Sequence, residues 1–232
     1  VKGIQLLNNF VSFFYPKLCS ACKVVLNKNE ENICLNCLAT LPKTNFHLLA
    51  DNPIKKIFWG RIPIETATSF CYFIKQSKVQ ELLHNLKYRG QKQIGSQLGY
   101  LFGNDLKQID FFKTVDFIIP VPLHPRKLKK RGYNQSEYIA YGLSKSLGIK
   151  LSTDNLIRVQ FSSTQTKKSK YLRWENVRNI FQVIDTKLFE NKHLLLIDDV
   201  ITTGSTIEAC FLALNKCENI KFSVATLAYA SV

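Results

Sequence analysis

Two adjacent carboxylates, Asp198 and Asp199, stand between an apolar run, Leu194-Leu195-Leu196-Ile197, and a hydroxyl-rich turn, Thr202-Thr203-Gly204-Ser205-Thr206. The chemistry open to such a set is recognition of a sugar phosphate. Carboxylates repel phosphate, but they accept hydrogen bonds from vicinal hydroxyls and suit a Mg²⁺-bound sugar. The turn supplies the complementary half. Backbone N–H groups at a helix start, with Thr203, Ser205 and Thr206 hydroxyls beside them, favour a phosphate ester, and Gly204 lets backbone and ligand come close. A diol acceptor next to a phosphate cradle describes a ribose 5-phosphate. The run lacks the Gly-Lys-Ser/Thr ending of a Walker A loop, and one glycine cannot serve the three roles of a dinucleotide fingerprint. The plainer reading is a buried strand followed by an ordinary Ser/Thr cap, but a cap does not call for two carboxylates before it.

A second set is Cys19-x-x-Cys22 and Cys34-x-x-Cys37, separated by eleven residues. Two such knuckles complete a tetrahedral thiolate site, and the spacing favours structural zinc over two disulfides. A segment of about 40 residues has little core of its own, so a metal would replace one. The residues between the knuckles could form a small hairpin. Cys71, Cys210 and Cys217 lack partner spacing and read as reduced core residues.

The elements that must position these groups follow from periodicity. Leu194 to Ile197 is too short for a helix and reads as a buried strand ending at the carboxylates, with a helix after Thr206. Thr68–Ile74, Val115–Pro122, 156–160, 180–184 and Phe222–Ala228 read as further strands. Val79–Leu101 reads as helical with a break near Gly90, and a helix runs through Leu147. Pro42, Pro53, Gly60 and Pro63 mark 42–66 as a linker. Domain organisation is therefore 1–41, with a short amphipathic helix over Ile4–Phe14 and the four-cysteine module; the linker; and an α/β domain over 67–232. Alternating strands and helices imply a mostly parallel sheet with helices on both faces, whose ligands bind at the strand carboxyl ends.

The 232 residues carry 32 basic and 17 acidic side chains, a formal charge of +15. That balance suits polyanionic partners. Arg126, Lys127, Lys129, Lys130 and Arg131 put five positive charges into six residues, just after Val121-Pro122-Leu123-His124-Pro125. No run of about 20 apolar residues occurs, so no membrane-spanning helix is expected. The amino-terminal stretch does not read as a signal peptide, which points to the cytoplasm, with peripheral contact to the inner membrane face open.

The segment from Leu194 to Ile207 resembles the phosphoribosyl pyrophosphate (PRPP) loop of type I phosphoribosyltransferases. With Pro120-Val-Pro-Leu-His-Pro, Arg131-Gly-Tyr-Asn-Gln135, Gln165-Thr166, Asn176-Val177-Arg178-Asn179-Ile180-Phe181 and the cysteine module, the chain resembles the ComF family over nearly its whole length. The family joins a zinc finger to a type I phosphoribosyltransferase-like domain and is associated with natural competence, the inward transport of single-stranded DNA.

By that resemblance, Asp198 and Asp199 hold the ribose hydroxyls. Val200, Ile201, Thr202, Thr203, Gly204, Ser205 and Thr206 complete the PRPP loop. Pro122, Leu123, Arg126 and Lys87 line the pyrophosphate side. The basic loop 161–178 is the hood, and Arg131 and Lys168 are charge-stabilising candidates beside the two aspartates. The implied ligands are PRPP or a phosphoribosyl nucleotide with Mg²⁺. Single-stranded DNA, and a competence helicase or other protein, are the implied partners. Catalysis with an unassigned acceptor, PRPP sensing without transfer, and a role in nucleotide metabolism are all compatible with one loop.

Overall fold

A computed structural model describes residues 16–159 and 180–231. The expected amino-terminal helix and the basic loop 161–178, with Lys168, lie outside these residues.

Five strands pair in parallel in the order β1-β7-β6-β2-β3: β1 Ala67–Tyr72, β2 Phe117–Pro120, β3 Lys150–Leu151, β6 His193–Ile201 and β7 Lys221–Tyr229. β4 Leu156–Arg158 and β5 Phe181–Val183 form a separate antiparallel pair. Central β6 is the apolar run read from the sequence, and Leu194 to Ile197 are 0% exposed. Burial on both faces is what a parallel sheet demands of its middle strand.

The strand does not stop at the carboxylates. Its ladder with β7 continues through Asp198↔Thr226, Val200↔Ala228 and Ile201↔Tyr229. The neighbour is equally long, so backbone pairing carries β6 past its polar residues. Asp198 and Asp199 are therefore strand residues, and Val200 and Ile201 precede the loop; Ile201 is buried and its carbonyl accepts from Ala230 N–H at 3.0 Å.

Seven α-helices are described: α1 Leu35–Ala39, α2 Pro53–Ile57, α3 Lys78–Tyr88, α4 Gln93–Leu106, α5 Pro125–Arg131, α6 Gln135–Leu147 and α7 Ser205–Leu214. The break between α3 and α4 falls at Gly90, as its positive φ of 70° requires. One core joins α3, α4 and α6 to the sheet, and the other joins α2 and α7 to it.

The α4–α6 crossing is unusually close. Gly95, Gly99 and Gly103 recur every fourth residue along α4, and a Cβ on Gly99 would overlap the Ile139 carbonyl of α6. Gly142 of α6 meets the Ser96 carbonyl in the same way. Only backbones bare of side chains can meet so directly.

Two expectations change. The stretch 42–66 is not a bare linker: Phe46, Ile54, Phe58 and Ile62 are buried in the second core. Asn52 organises it, capping α2 through Ile54 N (3.0 Å) and Lys55 N (3.1 Å) and donating to Ala67 O of β1 at 2.9 Å. The prolines and glycine mark turns between short elements, not a tether. Between the knuckles there is no strand hairpin. An isolated bridge, Leu18↔Val25, closes the first knuckle, and α1 follows the third cysteine.

Candidate sugar-phosphate site

The site is built at the carboxyl ends of β6 and β2, which are neighbours in the sheet. Val121 N–H donates to Ile197 O at 2.8 Å, carrying their pairing one residue beyond β2. The chain then turns through half-buried Pro122 and Leu123 into α5, capped by His124 Nδ1 accepting from Arg126 N–H at 3.1 Å. Nothing on α5 is buried, so Arg126, Lys127, Lys129 and Lys130 project into solvent beside the cleft. His124 is thereby engaged as a cap.

Asn134 ties the next helix to this edge. Its side chain donates to Val121 O at 3.0 Å and accepts from Ser136 N–H at 3.2 Å, capping α6. Ser136 Oγ in turn donates to Asp198 Oδ1 at 3.1 Å, which also accepts from Asp199 N–H at 2.8 Å. Burial, with the charge of Asp199 adding to it, pushes the Asp198 carboxyl up to about 7 against these hydrogen bonds and Lys87.

Asp199 is buried, and its Oδ2 lies 3.0 Å from Lys87 Nζ in an ion pair without hydrogen-bond alignment. Lys87 arrives from the last turn of α3, where two more contacts lock the phrase Leu86-Lys87-Tyr88 to the end of α5 and the turn after it. Tyr133 Oη donates to Leu86 O, and the Arg131 guanidinium lies over the Tyr88 ring at 5.5 Å while donating to Gln135 Oε1. The fold thus joins three separate sequence phrases at one point. Lys87 meets the acid pair directly; Arg131 is held on Tyr88 and Gln135.

Beyond β6 the chain turns at Gly204, which is buried while Thr202, Thr203, Ser205 and Thr206 are exposed around it. Gly204 occupies the N-cap of α7 at φ 75° and offers no side-chain cap. The first-turn N–H groups and the helix dipole therefore face outward without a resident acceptor from the cap, as an anion needs. A Cβ at Gly204 would stand 2.7 Å from Phe58 Cε1 and 2.9 Å from Ile57 Cγ2. The missing side chain makes room for Ile57 and Phe58 of the α2 segment.

Arg61, unremarked in the sequence, secures this turn. It pairs with Glu208 through two bonds of 2.6 and 2.5 Å and donates to Thr203 O at 2.8 Å. The pair neutralises the one acid in the first turn of α7, a charge that would repel a phosphate. No local spacing announced this role, because 147 residues separate the partners.

Comparison with known proteins agrees with this architecture. The phosphoribosyl transferase domain model matches residues 134–231, starting at the Asn134 cap. The chain is 28% identical over 194 residues to DNA utilization protein YhgH of Escherichia coli K12, covering 82% of this chain and 80% of that protein. It is 34% identical over 139 residues to competence protein F of Haemophilus influenzae, covering 58% and 61%. It is 25% identical over 213 residues to competence protein ComFC of Bacillus subtilis, covering 84% of each. The chain resembles the ComF family, whose relatives here match 58–84% of its length. Its fold is the parallel-sheet type I phosphoribosyltransferase fold with flanking helices.

The four cysteines of the amino-terminal module converge. The Sγ atoms of Cys19, Cys22, Cys34 and Cys37 all lie within 4.8 Å of one another, and those of Cys22 and Cys34 are 3.7 Å apart. A tetrahedron of thiolates about 2.3 Å from an ion has edges of roughly 3.8 Å, so the cluster fits a metal. Backbone N–H groups of Ala21, Cys34 and Cys37 point at the sulfurs at 3.3–3.4 Å. Burial opposes ionisation of Cys19, but hydrogen bonds from the backbone of Cys22, Cys34 and Ala21 outweigh it and bring the thiol down to about 6. Cys71, Cys210 and Cys217 are free and buried elsewhere.

Proposed function

We propose that the cleft binds PRPP with Mg²⁺ and that the protein serves natural transformation, in the uptake and handling of single-stranded DNA. The observation that carries the reading is the acid pair beside an uncapped, hydroxyl-lined helix start. Asp198 and Asp199 accept from the ribose hydroxyls. The N–H groups after Gly204 and the hydroxyls of Thr202, Thr203, Ser205 and Thr206 take the 5-phosphate. The loop of Pro122 and Leu123, with Arg126 and Lys87, faces the pyrophosphate. The names carried by the relatives, competence and DNA utilization, support the cellular role.

The acid pair fits a divalent cation. Asp198 is raised by burial and by its neighbour, and Asp199 Oδ2 is buried without a hydrogen bond. Bound Mg²⁺ would supply charge neutralisation at the pyrophosphate and diol. If transfer occurs, the C1–oxygen bond to pyrophosphate breaks with its electron pair leaving on pyrophosphate. The acceptor atom bonds to C1 and gives up its proton. Arg126, Arg131 and Lys168 would offset the charge that builds on the leaving group. In the cysteine cluster we assign Zn²⁺ in a structural role, because four thiolates leave no open position.

A second reading, PRPP sensing without transfer, draws on the Lys87–Asp199 pair. A lysine already seated on the acid that would hold the diol is a contact that ligand binding exchanges. Calorimetry with PRPP and Mg²⁺ tests the site: binding is expected to vanish in the Asp198→Asn, Asp199→Asn variant, and unchanged affinity would refute the assignment. Labelled PRPP incubated with bases or with DNA separates transfer from sensing by pyrophosphate release.

A further inference from the structure

An opening of about 760 Å³ lies at the other end of the sheet. Its wall uses the amino ends of β2 and β3 and the residue before β6, through Phe117, Lys150 and Lys192. From Lys192 to Asp198 is six strand residues, or about 20 Å. A small ligand at one end cannot reach the other.

Four lysines line this cavity: Lys107 at the end of α4, Lys113, Lys150 and Lys192. Its one lining carboxylate, Asp116, accepts from His193 N–H at 2.8 Å and lies 3.6 Å from Lys192. Lys113 pairs with the outlying Asp110. Among the described residues, Lys107 and Lys150 have no carboxylate partner. The cavity therefore holds a surplus of positive charge near a low-dielectric floor, where field lines concentrate on an anion.

The floor is apolar. Buried Phe112 and Val115 lie under Phe117, Leu147 and Ile149. A simple inorganic anion would use the lysines and leave this floor bare. A pocket of this volume, apolar below with a few charged groups at the rim, suits a ligand of drug or nucleotide size.

We infer that this cavity is a second ligand site for a nucleoside phosphate, with the base and ribose on the apolar floor and the phosphates among Lys107, Lys113 and Lys150. The site is independent of the PRPP reading and could hold a nucleotide while the acid-pair cleft is engaged.

Calorimetry of the full chain with ADP, without Mg²⁺ and at about 50 mM salt so that screening is modest, tests it. ADP is expected to bind the parent protein and the Asp198→Asn, Asp199→Asn variant with equal affinity. Lys107→Glu with Lys150→Glu is expected to weaken it about tenfold or more. Lys107→Gln with Lys113→Gln, which leaves β3 untouched, should weaken it in the same direction. No ADP binding by the parent protein would overturn the proposal. So would loss in the acid-pair variant alone, or a single-stranded oligonucleotide bound through these lysines that ADP does not displace.

Discussion

Asp198 is the residue in which fold and chemistry conflict most. Burial first, and the charge of Asp199 second, raise its carboxyl to about 7. An acid raised on folding binds its proton more tightly in the native state. Its ionisation therefore costs stability above the ordinary carboxylate value; the cost grows up to about pH 7 and is constant beyond. Below about pH 4 both states are protonated and the cost is gone. Asp198→Asn is expected to exceed the parent protein in stability at pH 8, by an amount on the order of a few kcal/mol. The two should converge towards pH 4 in urea titrations at pH 8, 6 and 4. A difference that widened in acid would contradict the assignment. The same charge is what the diol or cation proposed for this cleft would relieve.

At the scale of elements, α3 connects the two chemical centres. Its inner face, Val79, Leu82, Leu83 and Leu86, shares a core with Cys19, Cys34 and Cys37. Buried Asn85 donates to Ser20 O at 2.7 Å, and Lys23 pairs with Glu81 at 2.8 Å. One residue after Leu86, Lys87 meets Asp199. The cysteine module is therefore the outer wall against which the site-bearing helix rests. Stripping the proposed metal with a chelator, or Cys37→Ser, is expected to accelerate amide exchange over α3 about tenfold or more while leaving β7 protected, because local opening follows lost packing. Exchange mass spectrometry measures both elements in one experiment. Equal rates in α3 with and without metal would show that the module does not support it.

At the scale of the molecule, positive charge gathers at both ends of the sheet. The net +15 includes the exposed Arg126, Lys127, Lys129 and Lys130 of α5 at the carboxyl end of β2 and the lysines of the opposite cavity. No helix of the described residues is long and apolar enough to cross a membrane. Single-stranded DNA held by about four phosphate contacts would lose roughly fifty-fold in affinity between about 50 and 200 mM salt. Replacing Lys127, Lys129 and Lys130 with alanine is expected to flatten the slope of log affinity against log salt by about 2. Fluorescence anisotropy across that salt range checks it, and an unchanged slope would move the DNA path away from α5.

The residues with local signatures were legible before any coordinates. The apolar run 194–197 could only be a buried strand, and cysteines spaced in pairs announced a cluster whose sulfurs do converge. Alternating strands and helices implied the parallel sheet. Tertiary structure alone decided how far β6 runs, because the pairing that carries it past Asp198 belongs to β7. It alone placed Lys87 on Asp199, Ser136 on Asp198 and Arg61 on Glu208, partners separated by 62 to 147 residues. It also turned the apparent linker into core, with Phe58 against Gly204. Periodicity and spacing report what a residue does within a few neighbours along the chain; which distant charge or backbone it meets is set by strand order and helix crossing, and these come into being only when the sheet closes.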